Sequence, residues 1–332
     1  MARLTTFSRL LIVALILGGV YFGVTTFLPQ FTGKNSDTPA GSVETNSESS
    51  ENNAKVQNSD KSTWSRQPFT FTAPAPINGK LKGVVELGAT GFNSFIIRVD
   101  SRKNWKLERA EFGASLVYEN IATDEDIKAG LKTYIADMIA YGVGPKDIHF
   151  VVSSGAKKVD VTQKIIGVLR SMKYYVNTVT AEQEAQLALK AAMPRDFYNK
   201  SFVVDIGSGN TKVSWMSNGS PRGVETYGAK YYQNNLDDKT VYSEVKKKAL
   251  AVPSGARDVC FIIGGVPFTL AKQIREGDER YTVLKAPSDY DGDGAKQVAG
   301  LNIYQAIADA TGCKHFVFDW DANFTIGFLL DL

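Results

Sequence analysis

Three patterns of apolar and polar positions follow one another along the chain. Residues 10 to 28 form an uncharged apolar run about as long as a helix needs to cross a bilayer. Arg3 and Arg9 precede it, so the positive-inside rule keeps the short N-terminus in the cytoplasm and sends the rest of the chain across. A cleaved signal peptide is the alternative. The run is long for one, and no small-x-small cleavage site closes it, so residues 1–30 read as an uncleaved transmembrane anchor embedded in the lipid bilayer through 10–28, with an extracytoplasmic C-terminal domain. From 33 to 64 the pattern turns to Ser, Asn, Asp, Glu and Lys, with no apolar cluster to offset the entropy of ordering them. Residues 31–80 are therefore expected to form a linker, stiffened near its end by Pro74 and Pro76.

Beyond the linker the period alternates between two and 3.6. It predicts strands at 82–87, 93–100 and 105–112, then a helix at 124–141 with Thr123 as N-cap, acids in its first turn and Gly142 past its end. A strand at 147–152, a helix near 159–173, a strand at 174–179 and a helix at 181–193, stopped by Pro194, complete the first half. The second half opens with a hairpin at 202 and runs through an Asn218-Gly219 turn to a strand at 222–227. A helix near 237–250, a strand at 258–263 and a helix from about Pro267 follow. The alternation places the domain in the α/β class, with lobes at 81–196 and 197–332 that read as repeats of one plan.

Each half begins with the same chemical motif. Gly83 to Val99 reads as strand, acid at Glu86, Gly-x-x-Gly turn, strand; Phe202 to Trp215 reads as strand, acid at Asp205, Gly-Ser-Gly turn, strand. Glycines at 207 and 209 allow left-handed backbone and leave no Cβ between its N–H groups and a ligand, the geometry of an anion nest. An ordinary β-hairpin is the alternative for either copy alone. Gly264-Gly265 ends one strand and starts one helix, which suits either an anion at the helix N-terminus or close strand-to-helix packing. Glu182 and Glu184 open a helix, where acids are favourable through its dipole alone. Ser153 to Lys158 reads as a phosphate loop or a surface turn. Asp289-x-Asp291-x-Asp293-Gly294 has the opening spacing of a calcium loop, but Gly300 stands where a bidentate Glu is wanted, so an acidic surface loop is expected.

Composition removes several classes. With 38 basic and 35 acidic residues the net charge is +3, and no basic run carries interleaved aromatics, so no nucleic-acid partner is expected. Lys246 to Lys248 fan around a helix surface. Cys260 and Cys313 lack metal spacing and read as buried thiols, a disulfide remaining open in an oxidising compartment. With only His149 and His315, both at predicted strand starts, no histidine metal site or triad is expected. No Walker-type loop and no Gly-x-Ser-x-Gly elbow occurs.

Taken in order, these segments resemble the exopolyphosphatase and guanosine pentaphosphate phosphatase family of the actin, Hsp70 and sugar-kinase superfamily, over most of 82–332. The resemblance rests on Val85-Glu86-Leu87-Gly88 with Phe92, Glu182-Gln183-Glu184-Ala185, Val204 to Thr211, Gly264-Gly265 with Thr269-Leu270-Ala271, Gly300 to Ile303, and Gly327 to Leu332. It implies a two-lobed ribonuclease H-like (actin-like) fold with a ligand cleft between lobes. The implied chemistry is magnesium-assisted attack of water on a terminal phosphoryl group. By position, Glu184 would orient water, Asp205 would be the metal-linked carboxylate, and Mg2+ would sit on Glu86 and Asp205. Gly88, Thr90, Lys157, Gly207, Ser208, Gly209, Asn210, Thr211, Lys212, Gly264 and Gly265 would hold phosphate.

The departures bear on activity more than on fold. Glu86 replaces an Asp, Ala89-Thr90-Gly91 replaces a serine-rich turn, Lys157 replaces an Arg, and Val266 replaces a threonine. Thr325-Ile326 stands where an Arg-Glu pair is expected. Lys212 stands where a second catalytic Glu is common; a cation there can hold phosphate but can neither bind magnesium nor take a proton at neutral pH. The expected function is binding, with hydrolysis open, of a phosphoanhydride such as polyphosphate. The alternative is a catalytically inactive sensor or scaffold. A polymerising nucleotide switch fits the implied fold but not a tether across a bilayer, and an extracytoplasmic location argues against nucleotide substrates. A homodimer is one assembly this reading admits.

Overall fold

The computed structural model describes residues 64, 68–88, 91–112, 123–157 and 160–332. The apolar run at 10–28, most of the linker and Ala89-Thr90 of the first hairpin turn lie outside them. Among the described residues no helix is long and apolar enough to cross a membrane.

β1 (Lys80–Gly88), β2 (Gly91–Val99) and β3 (Trp105–Phe112) form an antiparallel meander. β4 (Ile148–Val152) and β5 (Val176–Thr178) add in parallel, giving the order β3-β2-β1-β4-β5. Parallel additions need crossovers, which α1 (Asp124–Tyr141) and α2 (Asp160–Ser171) supply. α1 starts where the Thr123 hydroxyl accepts the Asp126 N–H and the Asp126 carboxylate accepts the Thr123 N–H in return. It ends at Gly142, whose φ of 109° few other residues tolerate. After α3 (Ala181–Ala192) the plan repeats: β6 (Ser201–Ile206), β7 (Asn210–Ser217) and β8 (Ser220–Tyr227) form a second meander. β9 (Val259–Ile263) and β11 (Phe316–Asp319) join in parallel, and a short antiparallel β10 (Tyr281–Val283) extends the edge: β10-β11-β9-β6-β7-β8. Helices α4 (Asp238–Ala249), α5 (Gly265–Lys272), α6 (Gly294–Thr311) and α7 (Phe324–Asp331) complete the chain.

Alternation along the strands sorts side chains into three apolar layers. Val85, Leu87 and Ile96 pack outward with Ile127, Leu131 and Ile165 of α1 and α2. Phe202, Val204 and Ile262 pack outward with Val241 and Ile303 of α4 and α6. The third layer lies between the sheets: Val84, Phe95 and Ile97 meet Val203, Phe261 and Val317 through Ala188 of α3 and Ile326 and Leu329 of α7. Burying a side chain such as Leu329 contributes roughly 1.5–3 kcal/mol. α3 and α7 approach backbone to backbone, for a Cβ on Gly327 would lie 2.0 Å from the Leu187 carbonyl oxygen. Phe69, from the end of the linker, inserts against Phe197, Phe261 and Tyr281 of this layer.

One local boundary shifts and one expectation holds. α5 starts at Gly265, two residues before Pro267, because Gly264 serves as N-cap. Asp289, Asp291 and Asp293 are exposed, as the acidic surface loop expected there: a single 3-10 turn holds Pro287–Asp289, and from Gly294 the chain is helical. Cys260 and Cys313 are buried free thiols.

Candidate functional site

The same alternation that fills the middle layer carries its strands' acids there. Val84 faces the layer between the sheets, so Glu86, two residues on, does too; Val203 does the same for Asp205, and both carboxylates end up buried. Asp205 is the cross-strand partner of Lys212, which places the ammonium-bearing chain on the same face. α3 supplies the third acid. Thr180 caps that helix by accepting the Gln183 N–H, Glu182 stays exposed near its start, and Glu184 turns inward with no surface exposure.

Every oxygen of Glu184 is engaged. Oε1 accepts the Ser154 backbone N–H at 2.6 Å, and Oε2 accepts the Ser154 hydroxyl at 2.8 Å and pairs with Lys212 Nζ at 2.5 Å. Ser154 belongs to the turn after β4 and Lys212 to β7, so one carboxylate ties the first sheet to the second. Asn210 reinforces the junction, its Nδ2 donating to Ser154 Oγ at 3.3 Å and to Glu225 Oε1. Glu86 Oε2 accepts from Asn93 Nδ2 at 2.9 Å and from Asn323 Nδ2 at 3.1 Å.

Burial sets the protonation of the acids. Desolvation raises Glu86 to about 7 against the two amide donors, and the neighbouring Asp205 and Glu184 charges push the same way. Burial also raises Asp205, with the Lys212 ammonium opposing and Glu184 adding. For Lys212 burial alone would lower the pKa, but Asp205, Glu184 and Glu86 together raise it and keep the side chain charged.

Beside this cluster lie the backbone turns. Gly207 and Gly209 do not use the left-handed φ open to glycine. Gly207 is required by proximity instead: a Cβ there would lie 2.7 Å from the Asn210 carbonyl oxygen, whereas Gly209 has open space around it. The turn is closed by Gly207 N–H donating to Asn210 O, and Ala229 and Lys230 N–H groups donate to Gly207 O and Ser208 O. Gly264, at φ 108°, brings the N-terminus of α5 against β6, since a Cβ there would meet the Ile206 oxygen at 2.4 Å. That N-terminus has no side-chain cap. Lys296 reaches it, its Nζ 3.5 Å from where a Gly265 Cβ would sit, and burial together with the Lys230 charge lowers the Lys296 pKa. Thr211 is buried and its hydroxyl has no hydrogen-bond partner. Gly88 ends β1 paired with Gly91, Lys157 is exposed on the turn after β4, and Thr90 lies outside the described residues.

Asn93, Asn323, Lys230 and Lys296 were not among the residues singled out from the motifs, whereas Ser154 falls in the Ser153 to Lys158 run. The Glu86–Asn93 pairing follows from hairpin register once the turn is known, and Asn323 is signalled by an Asn ahead of a short apolar run. Nothing local to Lys230 or Lys296 marks them.

Magnesium demands near-octahedral oxygen ligation. Here the Lys212 ammonium, on the strand position opposite Asp205, pairs with Glu184 in the same buried layer, and both Glu184 oxygens are taken. The residues present do not fit the Mg2+ expected on Glu86 and Asp205. A cavity of about 550 Å³ lies elsewhere, walled by Trp105, Lys190, Arg280 and Tyr281, and contains none of the expected site residues.

No protein-family profile and no curated protein matches the sequence. Solved structures do match the fold. A Ppx/GppA family member from Aquifex aeolicus superposes with a TM-score of 0.59 at 17% identity, over 76% of this chain and 97% of that one. An exopolyphosphatase from Cytophaga hutchinsonii gives 0.59 at 12% identity, over 76% and 98%. An exopolyphosphatase-like protein gives 0.54 at 13%, over 77% and 98%. The chain thus shares the mixed α/β, two-sheet fold of these proteins.

Proposed function

We propose that this protein binds a phosphoanhydride chain of the inorganic polyphosphate class at the junction of its two sheets, without turning it over, as a domain tethered outside a membrane by its N-terminal anchor. The observation that carries the reading is the engagement of Glu184. Attack of water on a phosphoryl group needs a carboxylate oxygen within hydrogen-bond reach of that water. Both Glu184 oxygens are instead spent on Ser154 and Lys212.

Binding has separate support. The Gly207 to Asn210 turn and the uncapped α5 N-terminus stand side by side, and Lys230 and Lys296 add positive charge next to them. Phosphate contacts of this kind position a polyanion and ask nothing of its remaining chain, which suits a polymer of phosphoryl groups. The tethered topology favours polyphosphate over nucleotides.

Titration calorimetry on the full-length chain in detergent, with linear polyphosphate, tests this. Saturable binding is expected, weakened roughly tenfold by Lys296→Ala, the size of a charge-assisted hydrogen bond. Absence of binding by a folded protein, or binding indifferent to Lys296, overturns it.

A further inference from the structure

The fit of the acids around one ammonium leads further. Glu86, Glu184 and Asp205 reach the junction from three different elements, β1, α3 and β6; Lys212 pairs with Glu184 and stands opposite Asp205, where the charges of all three act on it. Its side chain is 8% exposed, it pairs with Glu184, and its strand position is fixed opposite Asp205. We propose that Lys212 is the resident cation of this site, standing where a divalent metal would have to sit, so that the junction takes phosphoanhydride oxygens free of metal and does not load magnesium.

A dication entering among these carboxylates would meet the buried ammonium head-on, and like charges at such range in a poorly hydrated site repel strongly. Moving Lys212 aside would strand Glu184, a fully buried carboxylate, without its counter-ion. Glu184 could not swing to a metal without giving up the Ser154 N–H and hydroxyl, which hold it from the other sheet. The consequence for specificity is that an uncomplexed oxyanion chain fits, whereas a nucleotide presented as its magnesium chelate brings a cation the site cannot seat. The ligand part rests on the proposed polyphosphate reading; the exclusion of metal does not.

The experiment uses Mn2+ as a paramagnetic stand-in for magnesium, followed by the loss of its free EPR signal on the full-length chain, alongside polyphosphate titrations in EDTA and in Mg2+. Wild type is expected to leave free Mn2+ undiminished at about tenfold excess of the ion, while Lys212→Glu, which adds a fourth carboxylate, gains a binding site. Polyphosphate is expected to bind in EDTA, and more weakly in Mg2+, where the ion complexes the polymer. Uptake of Mn2+ by wild type that Glu184→Gln abolishes overturns the proposal, as does polyphosphate binding that requires Mg2+ or a folded Lys212→Glu that gains no site. The wild-type measurement decides even where the variant does not fold. If polyphosphate fails to bind in either buffer, the ligand reading falls while the Mn2+ result still judges Lys212.

Discussion

Asn323 donates through Nδ2 to Glu86 Oε2 at 3.1 Å, joining the first strand of the domain to the cap of its last helix across 237 positions. The same side chain accepts the Thr325 N–H and hydroxyl through Oδ1, both at 2.8 Å, and so starts α7. One carboxamide therefore orients the helix that fills the space between the sheets and steadies an acid of the site.

Asn323→Ala removes the cap and one donor to Glu86 together. Loss of about 1–3 kcal/mol is expected in urea denaturation. A change under about 0.5 kcal/mol would mean that α7 is held by its apolar face alone.

Glu86 governs a pH dependence. Its carboxyl, ordinarily near 4.5, is raised to about 7 in the folded protein, so the folded state holds the proton more tightly than the unfolded chain. The stabilisation is complete below about 4.5 and is lost as pH rises through about 7; Asp205, also raised, moves in the same direction. Relative to Glu86→Gln, which cannot ionise, wild type should lose up to about 3 kcal/mol across that window. The readout is the difference between the two urea-derived stabilities followed from about pH 4.5 to 8, and a flat difference contradicts the account.

The Glu184–Lys212 pair should behave as a buried unit. Lys212→Met strands the carboxylate and is expected to cost about 3–5 kcal/mol, most of it recovered in the Lys212→Met/Glu184→Gln double variant. Simple additivity in that double-mutant cycle would show that the two groups do not depend on one another.

The fold was legible wherever short-range chemistry decides it. Thr123 with Asp126, and Asn218-Gly219 with φ of 51° and 74°, mark the ends of elements through contacts made within a few residues. Glu86 and Asp205 were legible because alternation carries them to the face opposite the outer cores. What lay beyond reach depends on separation in sequence. Glu184 meets Ser154 thirty positions away and Asn323 meets Glu86 at far greater range, and no local pattern encodes either meeting. Gly207 was singled out for backbone freedom, whereas the structure requires it for room beside Asn210; sequence reports a glycine without saying which of its two properties is used. Lys212 was marked as a departure, but only the packing of α3 against β7 turns it into the counter-ion of Glu184.

The central claim, binding without turnover, is tested most directly by orthophosphate release from linear polyphosphate by the full-length chain in Mg2+, beside Glu184→Gln. Release from wild type is expected to be no greater than from the variant, in protein that binds the polymer by calorimetry. Steady release by wild type that Glu184→Gln abolishes would contradict it, and would mean that Glu184 leaves Lys212 and Ser154 to serve water.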